Sequence, residues 1–326
     1  MVLTSESAAE RKWMMARFVS NLLRAQIALL NPLLKRMDIS TLRKLQDALG
    51  TLGAKALAGD VTYRDEPTLP FHAAWAEPSA PATGRAILYL HGGSYTAGTL
   101  AYAKGFGGVL ADRTGYRVLC VGYRLAPEHP YPAALEDALS AYRYLLEHHA
   151  PEKITLAGES AGGGLCFCLC LKLRELGLPQ PARVVALSPW TDLTMSSELD
   201  EEAARDPVLS AEKLRRSAAL YAQGRLGEPT VSPLFGDLTG LPPSLIIAGS
   251  DEILLPDAVR MAGRLGASGC DCELHVEPDM WHVYVLYGIP EAKDALDRIR
   301  TYIVRENEVN VDAKDGEPGD PGMDEA

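Results

Sequence analysis

The sequence predicts an α/β protein in which a mostly parallel, eight-stranded sheet carries helices on both faces and a helical cap. Three observations predict it. From Val61 onward, short β-branched and aliphatic runs alternate with helical patterns, as strands joined by crossover helices do. One such run, ending at Ala157, passes directly into Gly158-Glu159-Ser160-Ala161-Gly162 and a long helical pattern. That is strand, sharp turn and helix, with a serine at the apex. Finally, the connection between the strands at 183–187 and 244–248 is far longer than the others and contains the helical pattern Ser210–Gln223. A segment of that length usually has a function of its own.

Taken in order, residues 1–58 form an N-terminal helical cap segment. Trp13, Met14, Phe18, Leu22, Ile27, Leu30 and Leu34 recur at helical spacing with charges between them. Pro32 is expected to kink or divide this stretch, and Thr41–Leu57 makes a second helical pattern. Amphipathic helices of this kind mostly bury their stripe on their own domain; docking on a membrane is the minor alternative. Strands are expected at 61–65, 71–76, 86–90, 117–121, 153–157, 183–187, 244–248 and 272–276, with helices at 100–113, 132–149, 160–177, 256–268 and 291–304. The first two strands, close together and more polar, form an antiparallel edge. Residues 59–304 are thus expected to make one α/β domain, to whose cap 195–225 contribute.

The chain of 326 residues has a net charge of −11, unevenly spread. Residues 306–326 carry eight acids and one base, so this tail alone accounts for −7. With its Gly and Pro and no apolar face, the segment 305–326 is expected to be disordered. No basic footprint for nucleic acid is present. The six cysteines lack the paired spacing of a zinc site and are expected to be reduced and mostly buried. Neither a signal peptide nor a membrane-spanning run is recognisable, because Arg17, Asn21, Arg24 and Gln26 interrupt the N-terminal apolar stretch. A cytoplasmic location is the expectation, and a homodimer is left open.

A serine hydroxyl needs a base to take its proton and a carboxylate to orient that base. Of the histidines, His72, His148 and His149 fall on an edge strand or a helix end, and His275 lies inside a strand pattern. His282 follows the last strand on a loop, where a Ser…acid…His chain order places the base. The acid belongs after the preceding strand, in Gly249-Ser250-Asp251-Glu252, where Asp251 comes soonest. Glu252 and Asp257 are the alternatives. An oxyanion also needs preorganised N–H donors. The Ala161 amide follows the nucleophile, and the strand at 86–90 ends in His91-Gly92-Gly93-Ser94, whose glycines let the backbone approach an acyl oxygen.

Several segments together resemble the bacterial hormone-sensitive-lipase-like esterases, within the α/β-hydrolase fold. They are His91-Gly92-Gly93-Ser94, the run from Tyr123 to Ala134 (YRLAPEHPYPAA), Gly158-Glu159-Ser160-Ala161-Gly162-Gly163, Ser188-Pro189-Trp190-Thr191-Asp192-Leu193, and the stretches around Asp251 and His282. The resemblance implies Ser160 as nucleophile, His282 as base, Asp251 as orienting acid, and an oxyanion hole from Gly92, Gly93, Ser94 and Ala161. It also implies a cap built from the N-terminal helices and 195–225. Trp13, Phe18, Tyr95 and Trp281 are candidates for substrate contact. The chain departs from the family pattern at Ser94, where a third glycine is usual, and after Asp251, where Glu-Ile-Leu replaces the frequent Pro-Leu. The implied activity is a metal-independent and cofactor-free serine carboxylesterase for small to medium acyl esters. Lactone hydrolysis or deacetylation of small metabolites is the alternative within the same chemistry. A non-catalytic ligand-binding role is disfavoured by the intact His282.

Overall fold

The computed structural model describes residues 8–34, 37–57, 59–82, 84–196 and 205–305, and within α1 and α2 it leaves the side chains of 8–16, 31–34, 49–50 and 52–57 undescribed. The acidic tail and the side chain of Trp13 therefore lie outside the described residues.

Eight strands form one sheet: β1 (Val61–Asp65), β2 (His72–Pro78), β3 (Ala86–Leu90), β4 (Arg117–Gly122), β5 (Ile154–Glu159), β6 (Arg183–Leu187), β7 (Ser244–Gly249) and β8 (Cys272–Glu277). Their spatial order is β1-β2-β4-β3-β5-β6-β7-β8. The expected antiparallel edge is present, since β1 pairs with β2 and β2 with β4 antiparallel, while every later pairing is parallel. The central strands β3, β5, β6 and β7 are buried along their whole length. That is why they read as continuous apolar runs and not as alternating ones: helices cover both of their faces.

On one face lie α4 (Ala133–Leu146), α5 (Ala161–Glu175) and α7 (Leu255–Ala267), with α6 (Ala211–Ala222) of the long connection joining the same core. On the other lie α3 (Leu100–Thr114) and α8 (Pro290–Val304). Local chemistry sets several boundaries. The Thr99 hydroxyl accepts the Ala101 amide to open α3, and Gly115, at φ 70°, closes it in the left-handed conformation. The Ser210 hydroxyl caps α6 by accepting the Lys213 amide.

The N-terminal segment forms α1 (Ala8–Leu34) and α2 (Ile39–Leu57). Helix α1 ends two residues after Pro32, whose missing N–H removes a helical bond. Its domain-facing side is marked by polar groups. Arg17 pairs with Asp279, the Ser20 hydroxyl donates to Glu291 at 2.6 Å, and Arg24 donates to Asp251 at 2.7 Å. Leu23 and Ile27 pack between them against the core. Phe18, Leu22 and Leu29 face outward, at 64%, 51% and 81% exposure. The amphipathic reading of α1 thus needs correcting, because ion pairs as much as apolar contact hold it to the domain. Among the described residues, no helix is long and apolar enough to cross a membrane.

Candidate active site

The turn after β5 puts Ser160 at φ 54° and ψ −121°, a strained conformation for a residue with a Cβ. The surroundings enforce it. The Ser160 amide donates to Leu187 O at 2.8 Å, and its carbonyl accepts from Trp190 N at 3.0 Å and Gly164 N at 3.1 Å. A Cβ on Gly158 would come 2.5 Å from Gly162 O, and one on Gly162 would strike the Leu90 carbonyl. Both glycines of the motif are required by backbone crowding, as their positions in the sequence suggest.

His282 reaches this serine from the loop after β8, with Nε2 2.9 Å from Ser160 Oγ. Both side chains are buried, at 3% and 5% exposure. Burial first, and the neighbouring Lys213 charge second, push the imidazole down from 6.5 to about 3. It is therefore neutral near pH 7, the state needed to accept a proton. The Nδ1 atom is buried and has no hydrogen-bond partner among the described residues.

The two loops that end β7 and β8 are stitched together. Ser250 N donates to Glu277 O and Asp251 N to Met280 O, each at 2.9 Å, and Asp279 N donates to Ser250 Oγ at 2.8 Å. A Cβ on Gly249 would strike the Met280 carbonyl. Within this pair of loops Asp251 does not make the contact expected of it. Its Oδ2 accepts from Arg24 and its Oδ1 from the Ser250 hydroxyl at 3.0 Å, so the carboxylate is turned toward α1.

Glu252 is turned inward instead and is 3% exposed. Its Oε2 accepts from Ser188 Oγ at 2.6 Å and from Gly249 N at 3.1 Å. The same Ser188 oxygen accepts the amide of Val283, the residue after His282, at 3.0 Å. Among the described residues, Glu252 Oε1 is buried without a partner, as is His282 Nδ1. Burial pushes this carboxyl up to about 8, against the hydrogen bonds from Ser188 and Gly249. Asp257 serves elsewhere: its Oδ2 accepts the Thr191 and Asp192 amides, each at 2.7 Å. Ser188 itself had no role assigned from sequence. Its φ of 46°, which turns the hydroxyl into this position, has no signature in residue type.

The glycine-rich loop after β3 lies beside the serine. Gly93 has φ 114°, and Ser94 and Tyr95 have φ 53° and 60°. The Gly92 amide donates to the buried Glu159 carboxylate at 2.5 Å, so this expected oxyanion donor is committed elsewhere. Glu159 also accepts from Tyr89 Oη at 2.6 Å. Burial raises its carboxyl to about 7 despite bonds from Tyr89, Gly92 and Tyr102.

Of the residues expected to touch substrate, Tyr95 is buried and stacks on Tyr221 of α6 with ring centroids 3.8 Å apart, fastening α6 to the rest of the core. Trp281 is fully buried in the core on the α3/α8 face, edge-on to Tyr287. Phe18 points outward from α1. Of these three, only Phe18 is exposed. Among the described residues no cluster of His, Cys, Asp and Glu could hold a metal ion, and the six cysteines are free thiols.

The α/β-hydrolase-fold family model matches residues 87–286. The chain is 40% identical over 259 residues to an acetyl-hydrolase of Streptomyces hygroscopicus, covering 78% of this chain and 84% of that one. It is 38% identical over 224 residues to an esterase of Acinetobacter venetianus, covering 66% and 73%. A crystal structure of an esterase from the bacterial hormone-sensitive lipase family superposes with a TM-score of 0.80 at 36% identity, covering 86% of this chain and 97% of that one. The esterase EstE5, soaked with p-nitrophenyl butyrate, superposes with a TM-score of 0.78 at 33% identity, covering 85% and 97%. The chain belongs to the α/β-hydrolase family, in its bacterial hormone-sensitive-lipase-like group of carboxylic ester hydrolases.

Proposed function

We propose that this chain hydrolyses small to medium carboxylic esters through an acyl-enzyme on Ser160. The observation that carries the proposal is the 2.9 Å contact between His282 Nε2 and Ser160 Oγ, made by a buried imidazole that is neutral at pH 7. As the Ser160 oxygen attacks the ester carbonyl, His282 takes its proton. The tetrahedral oxyanion is received by the Gly93, Ser94 and Ala161 amides at the N-terminus of α5. Collapse expels the alcohol, which takes the proton back from His282. Water, deprotonated by the same imidazole, then attacks the acyl-serine and releases the acid.

The imidazolium formed on the way is buried and needs a carboxyl group on Nδ1, which its positive charge would hold in the ionised form against the upward push of burial. Glu252 is the residue we assign to it. Its free Oε1 and the free Nδ1 are both buried, and one hydroxyl, that of Ser188, links its other oxygen to the residue after His282. A short acyl group fits the relative whose name is acetyl-hydrolase, so acetyl and butyryl esters are the first substrates to try.

The test is a panel of p-nitrophenyl esters with Ser160→Ala, Glu252→Gln and Asp251→Asn. Ser160→Ala should lose about 10⁴-fold or more in kcat. Glu252→Gln should cost far more than Asp251→Asn, since only the acid on Nδ1 holds the imidazole in its working tautomer. Turnover by Ser160→Ala near the wild-type rate would reject the mechanism. A crippled Asp251→Asn beside an active Glu252→Gln would restore Asp251 as the acid.

A further inference from the structure

Helix α2 belongs to the N-terminal segment, yet two of its side chains hold the glycine-rich loop. Arg43 and Asp47 are four residues apart and so lie on one face of the helix. Arg43 Nε donates to the carbonyl of Thr96 at 2.8 Å, and Nη2 donates to the carbonyl of Ala126 at 2.9 Å. Its outer edge meets Glu128, at 2.8 and 3.0 Å. Asp47 Oδ1 accepts both the amide and the hydroxyl of Thr99, at 3.1 and 2.7 Å. Thr96 and Thr99 bracket the left-handed Gly98, and Thr96 stands two residues after Ser94.

From the other side, the same loop is pinned by the Gly92 amide on Glu159. Between these anchors its internal bonds are few: the Thr96 and Ala97 amides donate to Gly93 O, and Tyr95 O accepts the Ala126 amide. A loop with three consecutive residues at positive φ does not hold that shape by its own propensity. Arg43 ties together Thr96 and Ala126, whose segments also meet through the Tyr95–Ala126 bond and, nearer β3, through the Tyr123 hydroxyl, which donates to His91 O at 2.7 Å. Its fork, with several donors in fixed directions, suits this better than a lysine would.

We infer that Arg43 and Asp47 are positioning residues for the reaction: through Thr96 and Thr99 they fix where the Gly93 and Ser94 amides point. The inference rests on the proposed Ser160 chemistry and its oxyanion donors. On this view α2 contributes to turnover and does more than screen substrates. Loss of one oxyanion donor costs about 10²–10³-fold in kcat, so loosening two donors without deleting them should cost roughly 10-fold.

The experiment uses the full chain carrying Arg43→Ala, Arg43→Lys, Asp47→Ala and, as a comparison, Glu128→Gln. Active sites are counted by titration with a p-nitrophenyl phosphonate, which a correctly folded Ser160 site consumes once. Turnover of p-nitrophenyl acetate is then expressed per titrated site, and a trifluoromethyl ketone, which forms an oxyanion on Ser160, is measured as an inhibitor. We expect kcat per site to fall roughly 10-fold in Arg43→Ala and several-fold in Arg43→Lys and Asp47→Ala. KM should stay within about 3-fold, and the ketone Ki should rise in step with the loss of kcat. Glu128→Gln, which keeps both carbonyl contacts, should stay within about 2-fold of wild type. Wild-type kcat per site and Ki in Arg43→Lys and Asp47→Ala would overturn the inference, even if Arg43→Ala failed to fold. An equal loss in Glu128→Gln would overturn it too, by assigning the effect to the surface ion pair. Ser160→Ala, run alongside, separates the two levels: if it is inactive while the α2 variants are normal, only the role of α2 falls.

Discussion

Ser188 and Glu252 meet oxygen to oxygen at 2.6 Å, and the Ser188 hydroxyl simultaneously accepts the amide of Val283 at 3.0 Å. One side chain from the end of β6 thereby ties the loop after β7, which carries Glu252, to the loop after β8, which carries His282. The hydroxyl's single proton goes to the carboxylate and its lone pair to the amide, so each member of this buried relay has one part.

Ser188→Ala should therefore disturb both neighbours. Leaving a buried amide and a buried carboxylate each short of a partner costs about 1–3 kcal/mol per group. We expect a lower melting temperature together with a fall in kcat of about 10-fold, because His282 loses its brace. A variant with wild-type kcat would show that the relay does not support the base.

Phe18→Ala should leave the acyl-chain profile unchanged, since Phe18 is 64% exposed on the outer side of α1. Ratios of kcat/KM for butyryl against octanoyl esters would check this, and a several-fold shift would place the side chain at the mouth of the site after all. Arg24→Ala should act differently. It removes the bonds to Asp251, to the Asp279 carbonyl and to the Arg205 carbonyl, and should lower the melting temperature.

Glu66 is the clearest source of pH-dependent stability away from the site. Its burial alone would raise its pKa, but hydrogen bonds from Thr68, Tyr144 and Trp75 outweigh that and hold it down at about 2, against 4.5 unperturbed. A lowered carboxyl stabilises the fold above the unfolded value and loses that contribution as pH falls through the folded one. Stability should thus decline between pH 4.5 and 2 by up to about 3 kcal/mol from this group. Glu66→Gln should flatten that part of a denaturation-versus-pH curve while leaving turnover at pH 7 unchanged.

Gly162→Ala should be among the most damaging single substitutions. The added methyl would meet the Leu90 and His91 carbonyls, which are backbone and cannot step aside. We expect little folded protein, and in whatever folds, a displaced Ser160 with far lower kcat per titrated site.

Much of the architecture was legible because the physics behind it is local. Strands buried on both faces must be continuous apolar runs, and the expected strands match β1–β8 to within two residues at either end. Ser160 and His282 were legible because tight turns and chain order constrain them. Asp251 and Glu252 could not be told apart in this way. They are adjacent, both follow β7, and which one turns inward depends on how Asp251 N meets Met280 O and how Arg24 draws the Asp251 carboxylate outward. Sequence gave one hint, the absence of the usual Pro-Leu after Asp251. The orientation of α1 was hidden for a related reason. Its apolar residues occur nearly all round the helix, and the inward face is marked by Arg17, Ser20 and Arg24, whose acidic partners lie more than 220 positions away in the chain.

The stitching of the β7 and β8 loops also bears on how relatives of this chain can be recombined. Gly249 lies against the Met280 carbonyl, Ser250 and Asp251 bond to Glu277, Met280 and Asp279, and Ser188 adds a third attachment from β6. The stretch from 244 to 283 is therefore a single heritable block. A chimera with a crossover inside it would inherit a Glu252 loop and a His282 loop shaped for different partners. Crossovers placed before β7 and after α8 would carry the block across whole, provided that position 188 remains a serine.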